Sequence, residues 1–349
     1  MVGDAREMTA LARYRSLGRR RAALVAALAV AAVAALLLDI LTGPASLPLA
    51  DTVAALLGQE VPRGTQVIVW QVRLPVAVMA LLVGAALALA GAEMQTVLEN
   101  PLAEPFTLGV SSAAALGAAL AIVLGVTVPF LPPAWGVSAN AFLLALAALA
   151  LLQMLGRLRG GGPEMLILFG IALNFTAAAL LSLLQFVASA DALQQLVFWT
   201  MGSLAASRWE GVALIAMILA ACIPFAIRAA WRLTALRMGE EQARSFGVDT
   251  RALRRWALVR VSLLAAGAVS MVGVIGFVGL AGPHIARMLV GEDHRFFLPA
   301  SLLTGAVVLS LASTASKLVV PGVLLPIGLV TSLIGLPIFF ALILGGRTR

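Results

Sequence analysis

Charged residues are scarce in this chain, and their scarcity excludes an ordinary soluble fold. They make up 11% of the 349 residues, whereas hydrophobic residues make up 62%. Soluble domains carry roughly 25% charged residues, because their surfaces face water. The composition therefore predicts an all-α polytopic membrane protein.

Groups that bind metals or form disulfides are also nearly absent. Cys222 is the only cysteine, and His284 and His294 are the only histidines. One cysteine excludes a disulfide framework and a cysteine-based metal cluster, and two separated histidines do not complete a ligand set. We therefore expect no metal site and no catalytic residues in this chain.

Two missing sequence patterns narrow the function further. The chain has no GxxxxGK[ST] pattern, whose glycine-rich loop cradles phosphates, so ATP is expected to bind elsewhere. It also has no basic stripe interleaved with exposed aromatic residues, so the net charge of +8 does not indicate a nucleic-acid partner. Basic charge beside apolar spans is the usual result of membrane topology and anionic lipid.

What the sequence does contain is a series of apolar runs, each about as long as a membrane helix. Roughly 20 apolar residues cross a bilayer core about 30 Å thick. Such runs lie near residues 22–41, 74–95, 107–126, 138–156, 164–188, 210–230, 256–275, 277–290, 297–316 and 325–345. They predict one transmembrane domain of ten helices, 22–349, preceded by a basic cytoplasmic tail, 1–21.

The arginines predict the orientation, because lysine and arginine accumulate on the cytoplasmic side of membrane proteins. With the N-terminus inside, only Arg63, Arg73, Arg208 and Lys317 of the 24 basic residues lie outside. Both termini are therefore expected to be cytoplasmic. The alternative is that residues 19–41 are a cleaved secretory signal. However, this run is long enough to cross the bilayer. It is also needed for the even number of spans that keeps both termini inside.

The longest polar interruption, residues 231–256, predicts a short amphipathic helix near 236–246. Residues spaced three and four apart lie on the same face of a helix. One narrow apolar face is therefore formed by Leu236, Gly239, Ala243 and Phe246. Ion pairs are expected between Arg237 and Glu241 and between Glu240 and Arg244, and Gly247 is a natural helix stop. A helix lying on the lipid surface is the alternative, but so small a face favours a groove on a soluble partner protein.

Polar and small residues within the spans carry further expectations. Gly84, Ala88 and Ala92 recur every four positions, which allows close helix packing. Asn174, Gln185 and Gln95 need partners or a wet cavity. Glu93 is expected to reach the inner interface as a solvated carboxylate, and His294 is expected in a local ion pair with Asp293 and Arg295.

Short motifs follow one another in a specific order and spacing along nearly the whole chain after the basic tail. They are residues 69–75 (VWQVRLP), 100–105 (NPLAEP), 108–112 (LGVSS), 198–203 (FWTMGS), 276–280 (GFVGL), 283–287 (PHIAR), 293–295 (DHR) and 325–328 (LPIG). Together they resemble the permease family for iron chelates, haem and cobalamin, the membrane subunits of type II ABC importers.

That resemblance implies a homodimer of ten-helix subunits in the bacterial inner membrane, with a central pore. It also implies two partner ATPase subunits that bind ATP and magnesium, and a periplasmic or lipoprotein substrate-binding protein. The cargo is expected to be a ferric siderophore, with haem or cobalamin as alternatives. The loop at 231–256 would couple to the ATPase through Leu236, Gly239, Glu240, Ala243, Phe246 and Gly247.

The resemblance also assigns roles to other positions. It implies docking of the binding protein at Arg73, Lys317 and Arg63, although many relatives carry an arginine at the position of Val76 and a glutamate at that of Leu324. For Arg73, an anchor of the second span is the alternative. A cytoplasmic gate is implied at Gly160, Gly161, Gly162 and Pro163, where a merely flexible connection is the alternative. Pore-lining candidates are Asn174, Thr176 and Gln185.

Two other classes of protein fit the sequence less well. An ion-coupled secondary transporter usually binds its ion through charged or unwound elements near the membrane midplane, and no midplane Asp or Glu is predicted here. An intramembrane enzyme needs a His/Glu cluster, a serine with a base, or a metal set. Stimulation of ATPase activity by a binding protein would separate the importer from both, whereas transport that depends on protons or sodium without ATP would favour the secondary transporter.

Overall fold

Helices account for every regular element that the computed structural model describes, over residues 2–43, 47–106, 108–158, 162–320 and 323–345. The long elements are α1 (Val2–Leu41), α4 (Leu74–Val97), α5 (Val110–Leu124), α6 (Gly136–Leu158), α7 (Pro163–Val187), α9 (Trp209–Leu236), α11 (Thr250–Val272), α12 (Val278–Val290), α13 (His294–Leu318) and α14 (Ile327–Gly345). The shorter ones are α2 (Leu49–Leu56), α3 (Arg63–Val67), α8 (Ala190–Thr200) and α10 (Glu240–Ser245).

Ten of these elements correspond to the ten predicted runs. Within the described residues, seven stretches are long and apolar enough to cross a membrane, namely Tyr14–Leu41, Arg63–Val97, Pro133–Leu155, Pro163–Val187, Trp209–Leu236, Thr250–Val272 and His294–Leu318. The other three are the shorter apolar helices Val110–Leu124, Val278–Val290 and Ile327–Pro337. The prediction of an all-α polytopic membrane protein is confirmed.

Two spans begin earlier than their apolar runs. α1 starts at Val2, so the basic segment is helical and continuous with the first span. The second span starts at Arg63, and a wider π-helical turn over Ile68–Arg73 joins α3 to α4. Apolar composition marks only the lipid-spanning part of a helix, so polar first turns extend beyond it.

The centre of the bundle is α4, which packs against α9, α11, α12 and α13. Small residues make this possible: a Cβ atom at Gly84 would overlap the carbonyl oxygen of Gly305, and Ala88 lies against both Gly305 and Gly282. Lipid offers no hydrophobic drive for helix association, so close backbone approach supplies the packing energy. The predicted packing role of the small-residue stripe is confirmed.

Two expectations about polar residues are wrong. Glu93 is fully buried, and its carboxylate accepts bonds of 2.9 and 3.0 Å from Nε of Arg260 on α11. It is therefore one half of a buried ion pair and not a solvated carboxylate. A buried carboxylate without such a partner would be strongly unfavourable.

His294 does not join the ion pair of its neighbours. Asp293 pairs with Arg295, as expected, but the His294 ring is buried and its Nε2 lies 2.8 Å from Oγ1 of Thr96 on α4. The His294 backbone N–H donates to Oγ1 of Thr234 on α9. The residue thus joins α13 to two neighbouring helices.

Candidate functional site

The loop between α9 and α11 forms a compact projection at one end of the bundle, which we call the α10 side. α9 ends at Leu236, and the chain turns before α10 begins at Glu240. Gly239 has φ +113° and Gly247 has φ +79°, backbone conformations that only glycine adopts readily. The two glycines therefore set the start and the end of α10.

Charged side chains fix α10 to the bundle. Arg254 on α11 is buried; its Nε donates to the carbonyl of Val97 at the end of α4 (2.9 Å), and its guanidinium lies 3.4 Å from the Glu240 carboxylate. Glu240 also accepts from Thr250 (3.1 Å) and pairs with Arg244. Arg254 thus joins α4, α10 and α11 in one polar cluster.

The same cluster controls the protonation of Glu240. Burial by itself raises the pKa of the carboxyl, but the Thr250 hydroxyl and the Arg254 and Arg244 guanidinium groups outweigh it. The pKa of Glu240 is consequently held below its ordinary value. The carboxylate is charged at neutral pH, which keeps the attachment of α10 intact.

The structure corrects the predicted amphipathic helix of this loop. The helix is not continuous over 236–246, because Gly239 interrupts it. Leu236 and Ala243 are buried against the chain's own bundle, whereas Phe246 is 55% exposed. The pair of Glu240 with Arg244 is confirmed, but Arg237 pairs with Glu292 at 2.8 Å and not with Glu241. Turning the chain at Gly239 swings Arg237 away from α10.

The exposed apolar surface of this loop, which a partner protein could contact, therefore differs from the predicted apolar face. Its exposed apolar groups are Met238 (52%) and Phe246 (55%), one on each flank of α10. Between them lie the exposed side chains of Glu241, Gln242 and Ser245. The sequence did not single out Met238, because it falls outside the three- and four-residue spacing.

At the opposite end of the bundle, the α2 side, two of the predicted docking cations are buried. Nζ of Lys317 donates to the carboxylate (2.7 Å) and the carbonyl (3.0 Å) of Asp39. Arg73 donates to the carbonyls of Ile40 (3.3 Å) and Leu41 (3.2 Å). Both cations thus donate hydrogen bonds to carbonyls in the last turn of α1, which have no hydrogen-bond partner within the helix.

Arg73 and Lys317, two of the predicted docking cations, are therefore buried within this chain, and their role in docking stays a prediction. They are 4% and 7% exposed, respectively, whereas Arg63 at the start of α3 is exposed. Val76 and Leu324 line the same small cleft of about 70 Å³ as the two buried cations. In the described part of this face, the exposed basic residues are Arg63 and Arg208.

The three pore-lining candidates on α7 do not share one surface. The side-chain oxygen of Asn174 accepts from the Ser112 hydroxyl on α5 at 2.6 Å, so the amide is used in helix packing. Thr176 is exposed and donates to the carbonyl of Ala172 (2.9 Å). Gln185 is half-buried. It lies 11 residues after Asn174, which is about three helical turns, so the two residues are on the same side of α7.

A broad unpartnered face remains on α7. Only Leu166, Gly170 and Ala177 of its described side chains are buried. Large apolar side chains that point away from the bundle include Leu168, Phe175, Leu183 and Phe186. This face is available to lipid or to another protein chain.

An open cleft of about 430 Å³ lies where four segments of the chain meet. Glu104 and Phe106 from the α4–α5 loop line it, together with Met201 after α8, Phe277 before α12 and Ser332 on α14. Glu104 lies next to Gly279 near the start of α12. Glu104 belongs to the 100–105 motif, and its side chain is only 7% exposed.

The predicted gate is described only in part. Gly160 and Gly161 lie outside the described residues, and Gly162 has φ −69° and ψ 158°, extended backbone directly before Pro163 at the start of α7. Among the residues that the structure describes, none lies within 4 Å of a Cβ atom placed at Gly162. Space alone therefore does not require glycine at this position.

Comparisons with known proteins extend over almost the whole chain. A sequence profile of the FecCD transport family matches residues 30–345. The hemin transport system permease protein HmuU of Yersinia pestis is 38% identical over 283 residues, covering 80% of this chain and 84% of the relative. The cobalamin import system permease protein BtuC of Halobacterium salinarum is 39% identical over 299 residues, covering 85% of this chain and 78% of the relative.

A solved structure has the same fold. It is described as an inward-facing conformation of a metal-chelate type ABC transporter, and it is similar to this chain with a TM-score of 0.80 at 32% identity. The match covers 92% of this chain and 99% of that chain.

Proposed function

Since this chain belongs to the FecCD transport family and is the permease of a type II ABC importer, we propose that it carries a ferric siderophore across the bacterial inner membrane. The similarity to a metal-chelate type transporter supports this cargo. Relatives named for haem and for cobalamin are about equally similar in sequence. Those two cargoes are therefore the alternatives that a test must separate.

In this proposal the α10 side is cytoplasmic, and the loop of residues 237–249 transmits force from an ATPase subunit. The observation that carries it is the geometry of the loop. Phe246 and Met238 project on either flank of a helix that Glu240 and Arg254 hold rigidly against α4 and α11. Two apolar side chains held in fixed positions fit a groove on a soluble protein better than they fit a lipid surface.

The remaining parts of the transporter follow from the same proposal. Two copies of this chain pack around a pore, with the open face of α7 directed at the second copy. ATP and magnesium bind to two separate ATPase subunits, and this chain performs no covalent chemistry. A substrate-binding protein docks on the α2 side, where Arg63 and Arg208 are exposed; charge complementarity there sets register and association rate.

We expect Phe246→Asp to reduce ATP-driven uptake at least tenfold, because a charge replaces the apolar contact with the ATPase. The measurement is uptake of radiolabelled ferric chelate into proteoliposomes that contain all subunits. Phe130→Asp is the matched control, since Phe130 is fully exposed in the α5–α6 loop. Equal uptake by the two variants would contradict the proposal that this loop couples the chain to the ATPase.

The cargo is tested by purifying the assembled importer with its binding protein and identifying the bound ligand by mass spectrometry. A ferric siderophore supports the proposal, and haem or cobalamin replaces the cargo while leaving the importer intact. Uptake by the purified chain alone, without ATPase subunits or ATP, would overturn the proposed mechanism as a whole.

A further inference from the structure

An open cleft of about 480 Å³ runs between α9 and α11 in the half of the bundle nearest α10. Each helix contributes one stripe of residues at spacings of four, three and four. The stripes are Ala221, Phe225, Arg228 and Arg232 on α9, and Ala252, Trp256, Val259 and Leu263 on α11. Such spacing places each stripe on a single helix face, so the two faces line one continuous cleft.

The cleft is polar at one end and apolar at the other. At 1.5 Å per residue, Arg232 and Arg228 lie about 6 and 12 Å from the end of α9, whereas Ala221 lies about 22 Å from it. Because α11 runs in the opposite direction, Trp256 is level with Arg228, and Leu263 is level with Ala221. Charge therefore lies near the α10 side, and the walls become apolar toward the midplane.

The two arginines at the polar end have no acidic partner among the residues that the structure describes. Arg228 lies over the ring of Phe225 at 5.7 Å, and both Arg228 and Arg232 are exposed. Two buried arginines beside the cleft are used within the chain: Arg254 pairs with Glu240, and Arg260, at the floor of the cleft, pairs with Glu93. The unsatisfied positive charge is thus confined to one end of an apolar cleft.

Exposed tryptophans lie at the same depth. Trp231 on α9 and Trp256 on α11 are 58% and 59% exposed, respectively. Tryptophan concentrates at the boundary between lipid headgroups and acyl chains. The polar end of the cleft therefore lies at headgroup level and its apolar end lies among acyl chains.

We propose that this cleft binds one anionic phospholipid from the leaflet on the α10 side. The phosphate of the headgroup contacts Arg228 and Arg232, and an acyl chain lies along Phe225, Val259 and Leu263. Basic pockets between transmembrane helices on the cytoplasmic side are a known basis for recognition of anionic headgroups. A soluble phosphate would use only the polar end of the cleft, so the apolar end favours a lipid.

The test is native mass spectrometry of the full-length chain in detergent, titrated with phosphatidylglycerol or with phosphatidylcholine of the same acyl chains. We expect one tightly bound phosphatidylglycerol per subunit and about tenfold weaker binding of phosphatidylcholine. Arg228→Gln with Arg232→Gln should weaken phosphatidylglycerol binding roughly tenfold. The matched control is Arg251→Gln with Arg255→Gln, which removes two exposed arginines of α11 outside the cleft.

A second variant tests the apolar end separately. Ala221→Trp fills the cleft from its exposed rim and leaves both arginines in place, so it should also lower lipid occupancy. Equal binding of the two lipids, or an equal loss in the control pair, would overturn the proposal. Complete displacement of the lipid by glycerol phosphate would also overturn it, since the site would then recognise soluble phosphate.

Discussion

Single residues at the end of α1 show how a buried charge is held in this protein. Asp39 is fully buried, and Lys317 and Thr314 both donate to its carboxylate. Moving one charge into an apolar interior costs several kcal/mol, and a well-placed partner offsets that cost. Asp39 and Lys317 therefore depend on each other.

We expect Lys317→Met to destabilise the protein by about 3 kcal/mol, because it leaves Asp39 buried without a counter-charge. This loss is measured by thermal unfolding of the detergent-purified chain, with size-exclusion chromatography used to detect the folded fraction. Adding Asp39→Asn to Lys317→Met should recover part of the stability, since the lone charge is then gone. Arg63→Met, at an exposed site, is the control, and a Lys317→Met variant as stable as that control contradicts the buried pair.

At the scale of an element, α10 is a helix of six residues that has little stability of its own. Isolated helices shorter than about 12 residues are marginal in water, so tertiary contacts must hold α10. The contacts of Glu240 with Thr250, Arg244 and Arg254 supply them. The position of this element is therefore sensitive to the charge of one carboxylate.

The attachment of α10 should weaken in acid. The pKa of Glu240 is lowered in the folded state, so its contribution is fully present above the ordinary glutamate pKa of about 4.3 and is lost as pH falls through the folded-state value. Glu240→Gln should cost roughly 1 kcal/mol at neutral pH, or about fivefold faster amide exchange over residues 237–249.

Hydrogen exchange with mass spectrometry, at several pH values, is the measurement for α10. Glu241→Gln is the matched control, because Glu241 is an exposed carboxylate on the same helix. The Glu240→Gln variant should also lose the acid dependence of the wild type. If both variants exchange alike, Glu240 does not hold α10.

At the scale of the whole molecule, the arrangement of the spans places α2 and α10 at opposite ends of the bundle. Most of the described basic residues lie on the α10 side, and cytoplasmic loops are rich in lysine and arginine. The buried Cys222 is the only native cysteine, so single introduced cysteines report sidedness cleanly in a Cys222→Ser background.

A membrane-impermeant maleimide, applied to intact spheroplasts, should label Glu60→Cys at least tenfold more than Ser245→Cys. Both positions are exposed, Glu60 after α2 and Ser245 at the end of α10. In cells that lack the ATPase subunits, permeabilising the membrane should make the two signals equal. Strong labelling of Ser245→Cys in intact spheroplasts would reverse the orientation.

The sequence by itself determined the membrane class, the ten apolar elements and the packing stripe at Gly84 and Ala88, because lipid exposure and small-residue spacing act over a single helix. Only the tertiary structure decided the partners of the polar residues. Glu93 meets Arg260, and Lys317 meets Asp39, across 167 and 278 positions of the chain, respectively. Likewise, α10 buries Ala243 and exposes Phe246 because α4 and α11 form its supporting surface. Periodicity defines the faces of a helix, but the neighbouring helices decide which face is covered.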